Sequence, residues 1–120
     1  MQPATILIIE DHTAVRMLLA RLLEDAGYQV CEAANGRQGL DRYRAQHVDL
    51  VITDLEMPEM GGLEVILELT RAFLDVKVIA MSARSANELA RAKLLGARQI
   101  FVKPFDLPAL LHAVQYELQH

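Results

Sequence analysis

Five residues with chemically useful side chains stand at the ends of short apolar runs. Glu10 and Asp11 follow Ile6-Leu7-Ile8-Ile9, Asp54 closes 48–53, Ser82 follows 76–81 and Lys103 follows Ile100-Phe101-Val102. A carboxylate with a reference pKa of about 3.9 is already ionised at neutral pH, so Asp54 could attack a phosphoryl group without a general base. Three carboxylates and one ammonium leave a formal charge of -2. Two like charges about 4 Å apart repel by roughly 4 kcal/mol at an effective dielectric of about 20, so the cluster calls for a divalent cation. Few carboxylates, a loop carbonyl and waters suit Mg²⁺ better than an all-protein calcium cage. Lys103 and the Ser82 hydroxyl would then meet the oxygens of a transferring phosphoryl group, and the product would be an aspartyl phosphate.

Asp54 taken alone reads equally as a turn former, Glu10-Asp11 as caps of a following helix, Ser82 as a turn residue and Lys103 as a surface lysine. What separates the two interpretations is whether one scaffold gathers all five. The runs Ile6 to Ile9, 48–53 and Val76 to Met81 are apolar or β-branched apart from Asp49 and Lys77, the pattern of parallel strands buried on both faces. Tyr28 to Glu32 and Ile100 to Val102 add two shorter strands. Between them lie helical spacings: Val15, Leu18, Leu19, Leu22, Leu23 and Ala26 up to Gly27; Arg37 to Gln46 with Leu40 and Tyr43 inward; Leu63, Ile66, Leu67 and Leu69. Ser85 or Asn87 can cap a helix through Leu89, Ala90, Ala92 and Leu94 that Gly96 ends, and Asp106 reads as the N-cap of a last helix carrying Leu107, Leu110, Leu111, Val114 and Leu118.

Five strands alternating with five helices predict an α/β fold, a doubly wound parallel sheet with helices on both faces. Every strand-to-helix loop of such a sheet emerges at one edge, where open α/β folds place their ligand crevice. Residues far apart in sequence can meet there.

With 120 residues the chain has room for one domain, read as 1–120. Its 12 basic against 16 acidic residues give a net charge of -4 and no reason to expect nucleic-acid binding by this segment. No apolar run reaches membrane-spanning length, and the first five residues lack the basic segment of a signal peptide. The lone Cys31 reads as a packing residue, and cytoplasm is the expected compartment. The four histidines show no ligand spacing and are expected to face solvent, with His12 beside the acidic pair. Met57 and Met60 read as packing beside the crevice.

Ile-Ile-Glu10-Asp11, Asp54-Leu-Glu-Met-Pro58-Glu-Met-Gly-Gly62, Met81-Ser82-Ala83 and Gly96-Ala97 to Lys103-Pro104-Phe105 together resemble the receiver domain of two-component response regulators, over essentially the whole chain. The resemblance implies a flavodoxin-like sheet in the order 2-1-3-4-5. It implies that Asp54 accepts phosphate from a sensor histidine kinase or phosphotransfer protein. Asp11, Asp54 and the Glu56 backbone carbonyl would bind Mg²⁺ directly, and Glu10 through water. Ser82 and Lys103 would hold the phosphoryl group, next to a cis Lys103-Pro104 bond. The output would be a change of partner binding through the face of the fourth helix, fifth strand and fifth helix, in a switch that handles its own phosphate without being a turnover enzyme.

This chain departs from that pattern at Ile100, which stands where many members carry an aromatic switch; Phe101 is adjacent but on the opposite strand face. Glu56 and Arg84 carry opposite charges at variable positions and are expected to pair as a partial lid over the phosphorylated aspartate. Arg98-Gln99 and the weakly basic last helix do not favour dimerisation through the fourth-helix to fifth-helix face. Three other functions fit parts of the pattern. An aspartate-nucleophile phosphatase would normally carry Asp-x-Asp, where this chain has Asp54-Leu55-Glu56. A flavin or nucleotide module would normally bring a glycine-rich phosphate loop, which is absent. A receiver-like interaction domain that is never phosphorylated would not need every chemical position filled.

Overall fold

The computed structural model describes residues 2–83 and 86–120. Strands β1 (Thr5–Ile9), β2 (Gln29–Ala33), β3 (Leu50–Asp54), β4 (Val78–Ser82) and β5 (Gln99–Val102) alternate with helices α1 (Thr13–Asp25), α2 (Gly36–Ala45), α3 (Gly62–Ala72), α4 (Ala86–Leu95) and α5 (Leu107–Gln119). The strands form one parallel sheet in the order β2-β1-β3-β4-β5. The expected doubly wound, flavodoxin-like topology is thus the observed one.

Alternation along the strands divides the core. Leu7, Ile9, Val51 and Ala80 face a cluster completed by Leu40 of α2, Val65, Ile66 and Leu69 of α3, and Leu89 and Ala92 of α4. Ile6, Ile8, Ile52 and Ile79 face the other side, under Leu19 and Leu23 of α1 and Leu110 and Val114 of α5. Met57, Met60 and Cys31 pack against the first cluster as expected.

Helical stripes were legible in phase but not in width. Leu18 is half exposed and Leu94 almost fully so, while Val65, at the centre of the α3 stripe, is completely buried. Of the predicted α4 stripe only Leu89 and Ala92 are buried. The reason is geometric: a helix lying on a sheet hides about a third of its surface, so apolar residues at the edge of the stripe reach solvent.

The caps also differ from expectation. Asn35 starts α2 by accepting the Gln38 backbone N–H at 2.8 Å. Asp106 occupies the N-cap position of α5 without a side-chain capping bond. His12, not Asp11, is the N-cap residue of α1. Of the two residues predicted to cap α4, Ser85 lies outside the described residues and Asn87 lies within the helix.

Candidate functional site

β1, β3 and β4 end at nearly one level, because the register pairs Ile9 with Thr53, and Asp54 with Met81. Backbone hydrogen bonds carry the ladder one step further: Glu10 N–H to the Ala33 carbonyl at 3.0 Å, Leu55 N–H to Met81 at 2.8 Å, and Lys103 N–H to Ser82 at 2.8 Å. The residues after β1, β3 and β5 are therefore held almost as firmly as the strands themselves, and Asp54 and Ser82 are the closing residues of β3 and β4. Glu10, Asp54, Ser82 and Lys103 inherit that rigidity.

The 55–62 loop is folded back over the end of β3. Gly62 N–H donates to the Leu55 carbonyl at 3.1 Å. A Cβ added at Gly62 would lie 2.3 Å from the Asp54 carbonyl oxygen and 2.7 Å from Leu55 Cα. Only glycine permits this approach, which fixes the backbone on which Asp54 stands.

Glu10, Asp11 and Asp54 each offer a carboxylate oxygen, and the three atoms lie within 4.8 Å of one another. Glu10 and Asp54 are buried, while Asp11 is exposed. Lys103 Nζ donates to Glu10 Oε1 at 2.7 Å and stands 3.2 Å from Asp54 Oδ2. The other Asp54 oxygen, Oδ1, accepts the Glu56 backbone N–H at 3.3 Å. Hard oxygen donors at this spacing, with one side open to solvent through Asp11, suit a small divalent cation such as Mg²⁺ that keeps several waters.

Burial pushes the Glu10 carboxyl up to about 7, helped by the nearby Asp54 charge and opposed by the hydrogen bonds from Lys103 and the His12 backbone. Lys103 is affected in the reverse balance. Burial alone would lower its ammonium, but the hydrogen bond to Glu10 and the charges of Asp54 and Glu10 outweigh it and hold the group above its ordinary value. The ion pair thus favours the lysine's charge more firmly than the glutamate's, in keeping with the complete burial of Glu10.

Of the residues singled out from sequence, Glu10, Asp11, Asp54 and Lys103 come together. Ser82 is fully buried at the end of β4, and its hydroxyl donates to Glu56 Oε2 at 2.5 Å. Glu56 Oε1 accepts the Ala83 backbone N–H at 2.8 Å. The sequence had drawn attention to the Glu56 backbone carbonyl and to a pairing with Arg84, which lies outside the described residues. It gave no sign that the Glu56 carboxylate reaches β4, because the partners are separated by 26 and 27 residues. The Lys103-Pro104 bond is cis, as expected. Ile100 is partly exposed, whereas Phe101 turns inward and packs edge-on against Phe105.

Among the described residues no helix is long and apolar enough to cross a membrane. A family model described as "Response regulator receiver domain" matches residues 6–115. The chain is 36% identical over 111 residues to Sporulation initiation phosphotransferase F of Bacillus subtilis, covering 92% of this chain and 90% of that protein. It is 34% identical over 111 residues to Chemotaxis protein CheY of Thermotoga maritima, covering 91% and 92%. Among solved structures, the response regulator protein TrrA of Thermotoga maritima, in complex with Mg²⁺-BeF, superposes with a TM-score of 0.88 at 32% identity, over 95% of this chain and 98% of that one.

Proposed function

The chain belongs to the response regulator receiver family, and from that premise we propose that it is a phosphorylation-controlled switch whose acceptor is Asp54. The observation that carries this reading is the meeting of Asp54 with Lys103, at 3.2 Å, inside a group of three carboxylates. An acidic cluster alone would repel a phosphoryl donor, and an isolated lysine would offer Asp54 no metal.

Asp11, Asp54 and the Glu56 backbone carbonyl would hold Mg²⁺, with Glu10 acting through water. When bound, Mg²⁺ neutralises charge on the phosphoryl oxygens. An Asp54 carboxylate oxygen attacks the phosphorus of a phosphohistidine on a sensor kinase or phosphotransfer protein. The new O–P bond forms as the P–N bond breaks, and its electron pair stays with the imidazole nitrogen. Lys103 offers its ammonium to an equatorial oxygen, and the Ser82 hydroxyl can donate to another. Attack of water on the phosphorus would break the Asp54 O–P bond, releasing inorganic phosphate and returning the carboxylate, so that the protein takes part in its own dephosphorylation without being a turnover enzyme.

An apolar recess beside Lys103, lined by Val15, Leu18, Phe105 and Leu107, supports docking of a histidine-bearing helix next to the acceptor. Residues 1–120 act in this reading as one receiver unit in the cytoplasm, with no direct contact to nucleic acid or membrane. Movement of Ser82 toward the phosphoryl group shifts an existing equilibrium of α4, and partner binding at the α4-β5-α5 face is the output.

Intact mass after incubation with Mg²⁺ and acetyl phosphate tests this reading. One phosphoryl group on the wild type and none on Asp54→Asn is expected. No uptake by the wild type, or sustained turnover of a generic phosphate ester, would overturn it.

A further inference from the structure

The Glu56 side chain spans two parts of the site. Its own backbone N–H rests on Asp54 Oδ1 at 3.3 Å. Its carboxylate takes the Ser82 hydroxyl at 2.5 Å with one oxygen and the Ala83 N–H at 2.8 Å with the other. Two donors at the end of β4, one side chain and one backbone, thus hold a single anion between them. Each has one proton to donate, so neither can serve Glu56 and a second anion at full strength.

We infer that the Glu56 carboxylate is an internal stand-in for the phosphoryl group, holding the Ser82 hydroxyl and the Ala83 N–H until displaced, and so sets how fast Asp54 is phosphorylated. The inference rests on the reading of Asp54 as acceptor. A phosphoryl group bonded to Asp54 brings anionic oxygens to the same crevice and competes for the same pair of donors. Glu56 is only half-buried, so its displaced carboxylate regains water. Displacement is therefore feasible at a moderate rate penalty. The same contacts keep the β4 end in one arrangement before phosphorylation, which separates the resting state from the switched one by a discrete exchange of ligands.

Plain charge repulsion by Glu56 would also slow an anionic donor, and the two explanations separate by reach. Glu56→Ala removes both the carboxylate and its charge, whereas Glu56→Asp keeps the charge on a side chain one methylene shorter, too short to hold both donors. Rates of phosphorylation by acetyl phosphate in saturating Mg²⁺, read by intact mass, are expected to rise about three- to tenfold in Glu56→Ala and to rise also in Glu56→Asp. Without phosphate, the Ala83 amide proton resonance is expected to move upfield in Glu56→Ala as its charged acceptor is lost. A Glu56→Asp rate equal to the wild type, with only Glu56→Ala faster, would assign the effect to charge and overturn the inference. Equal rates in all three chains would also overturn it while leaving Asp54 as acceptor. Failure of all three to take up phosphate would overturn the functional reading and this inference with it.

Discussion

Lys103 donates to Glu10 at 2.7 Å, so the cation at this sheet edge is paired with a fully buried carboxylate. A buried ion pair of this kind adds little to stability, since desolvation offsets much of the attraction. Its use here is to keep an ammonium in place beside Asp54.

That arrangement predicts a pH dependence. The folded protein holds the Glu10 proton up to about pH 7 against 4.5 for an ordinary glutamate, so between those values it binds more protons than the unfolded chain. Stability therefore falls as pH rises through that window. Glu10→Gln lacks this titration and is expected to match the wild type near pH 4.5 and exceed it by about 2 to 3 kcal/mol at pH 8. Urea unfolding of both chains in chelator, across the pH range, checks this.

Mg²⁺ should reverse part of the penalty. At a concentration about tenfold above its dissociation constant, the ion is expected to add about 1.4 kcal/mol to wild-type stability. Asp11→Asn should lose most of that gain. Thermal unfolding with and without Mg²⁺ measures both.

Gly62→Ala drives a Cβ against the Asp54 carbonyl oxygen and Leu55 Cα, both backbone atoms that cannot swing aside. We expect a loss of about 2 to 4 kcal/mol in urea unfolding. Slower phosphorylation of the fraction that remains folded should accompany it, because the displaced segment carries Asp54.

The two helix starts give a contrast. Asn35→Ala removes a side-chain acceptor from Gln38 and should cost about 1 kcal/mol. Asp106→Ala removes no capping bond, and its effect should stay within about 0.5 kcal/mol. Denaturant midpoints of the two variants decide it.

The fold was legible because strand and helix periods are written in local residue order: Ile6 to Ile9 and Val78 to Met81 are apolar on both faces, and only a covered parallel sheet has a place for them. The acidic cluster was legible for the same reason, since a doubly wound sheet sends every strand end to one edge. The Glu56 contacts were not. They depend on how far a carboxylate reaches across from the β3 loop to the end of β4, and neither local spacing nor strand order contains that distance. The missing Asp106 bond belongs to the same class, because residue type predicts a cap's ability to bond and the loop decides its aim. The exposure of Leu18 and Leu94 reflects how much of a helix its neighbours cover, which is a property of the packed fold.

The most direct test of the central claim is to locate the phosphoryl group. After treatment with acetyl phosphate and Mg²⁺, reductive cleavage by borohydride converts an acyl-phosphate aspartate to homoserine, and peptide mass spectrometry reads the position. Homoserine at residue 54 alone is the predicted result. Homoserine at Asp11 or another carboxylate, with residue 54 unchanged, would contradict the assignment of Asp54 as acceptor.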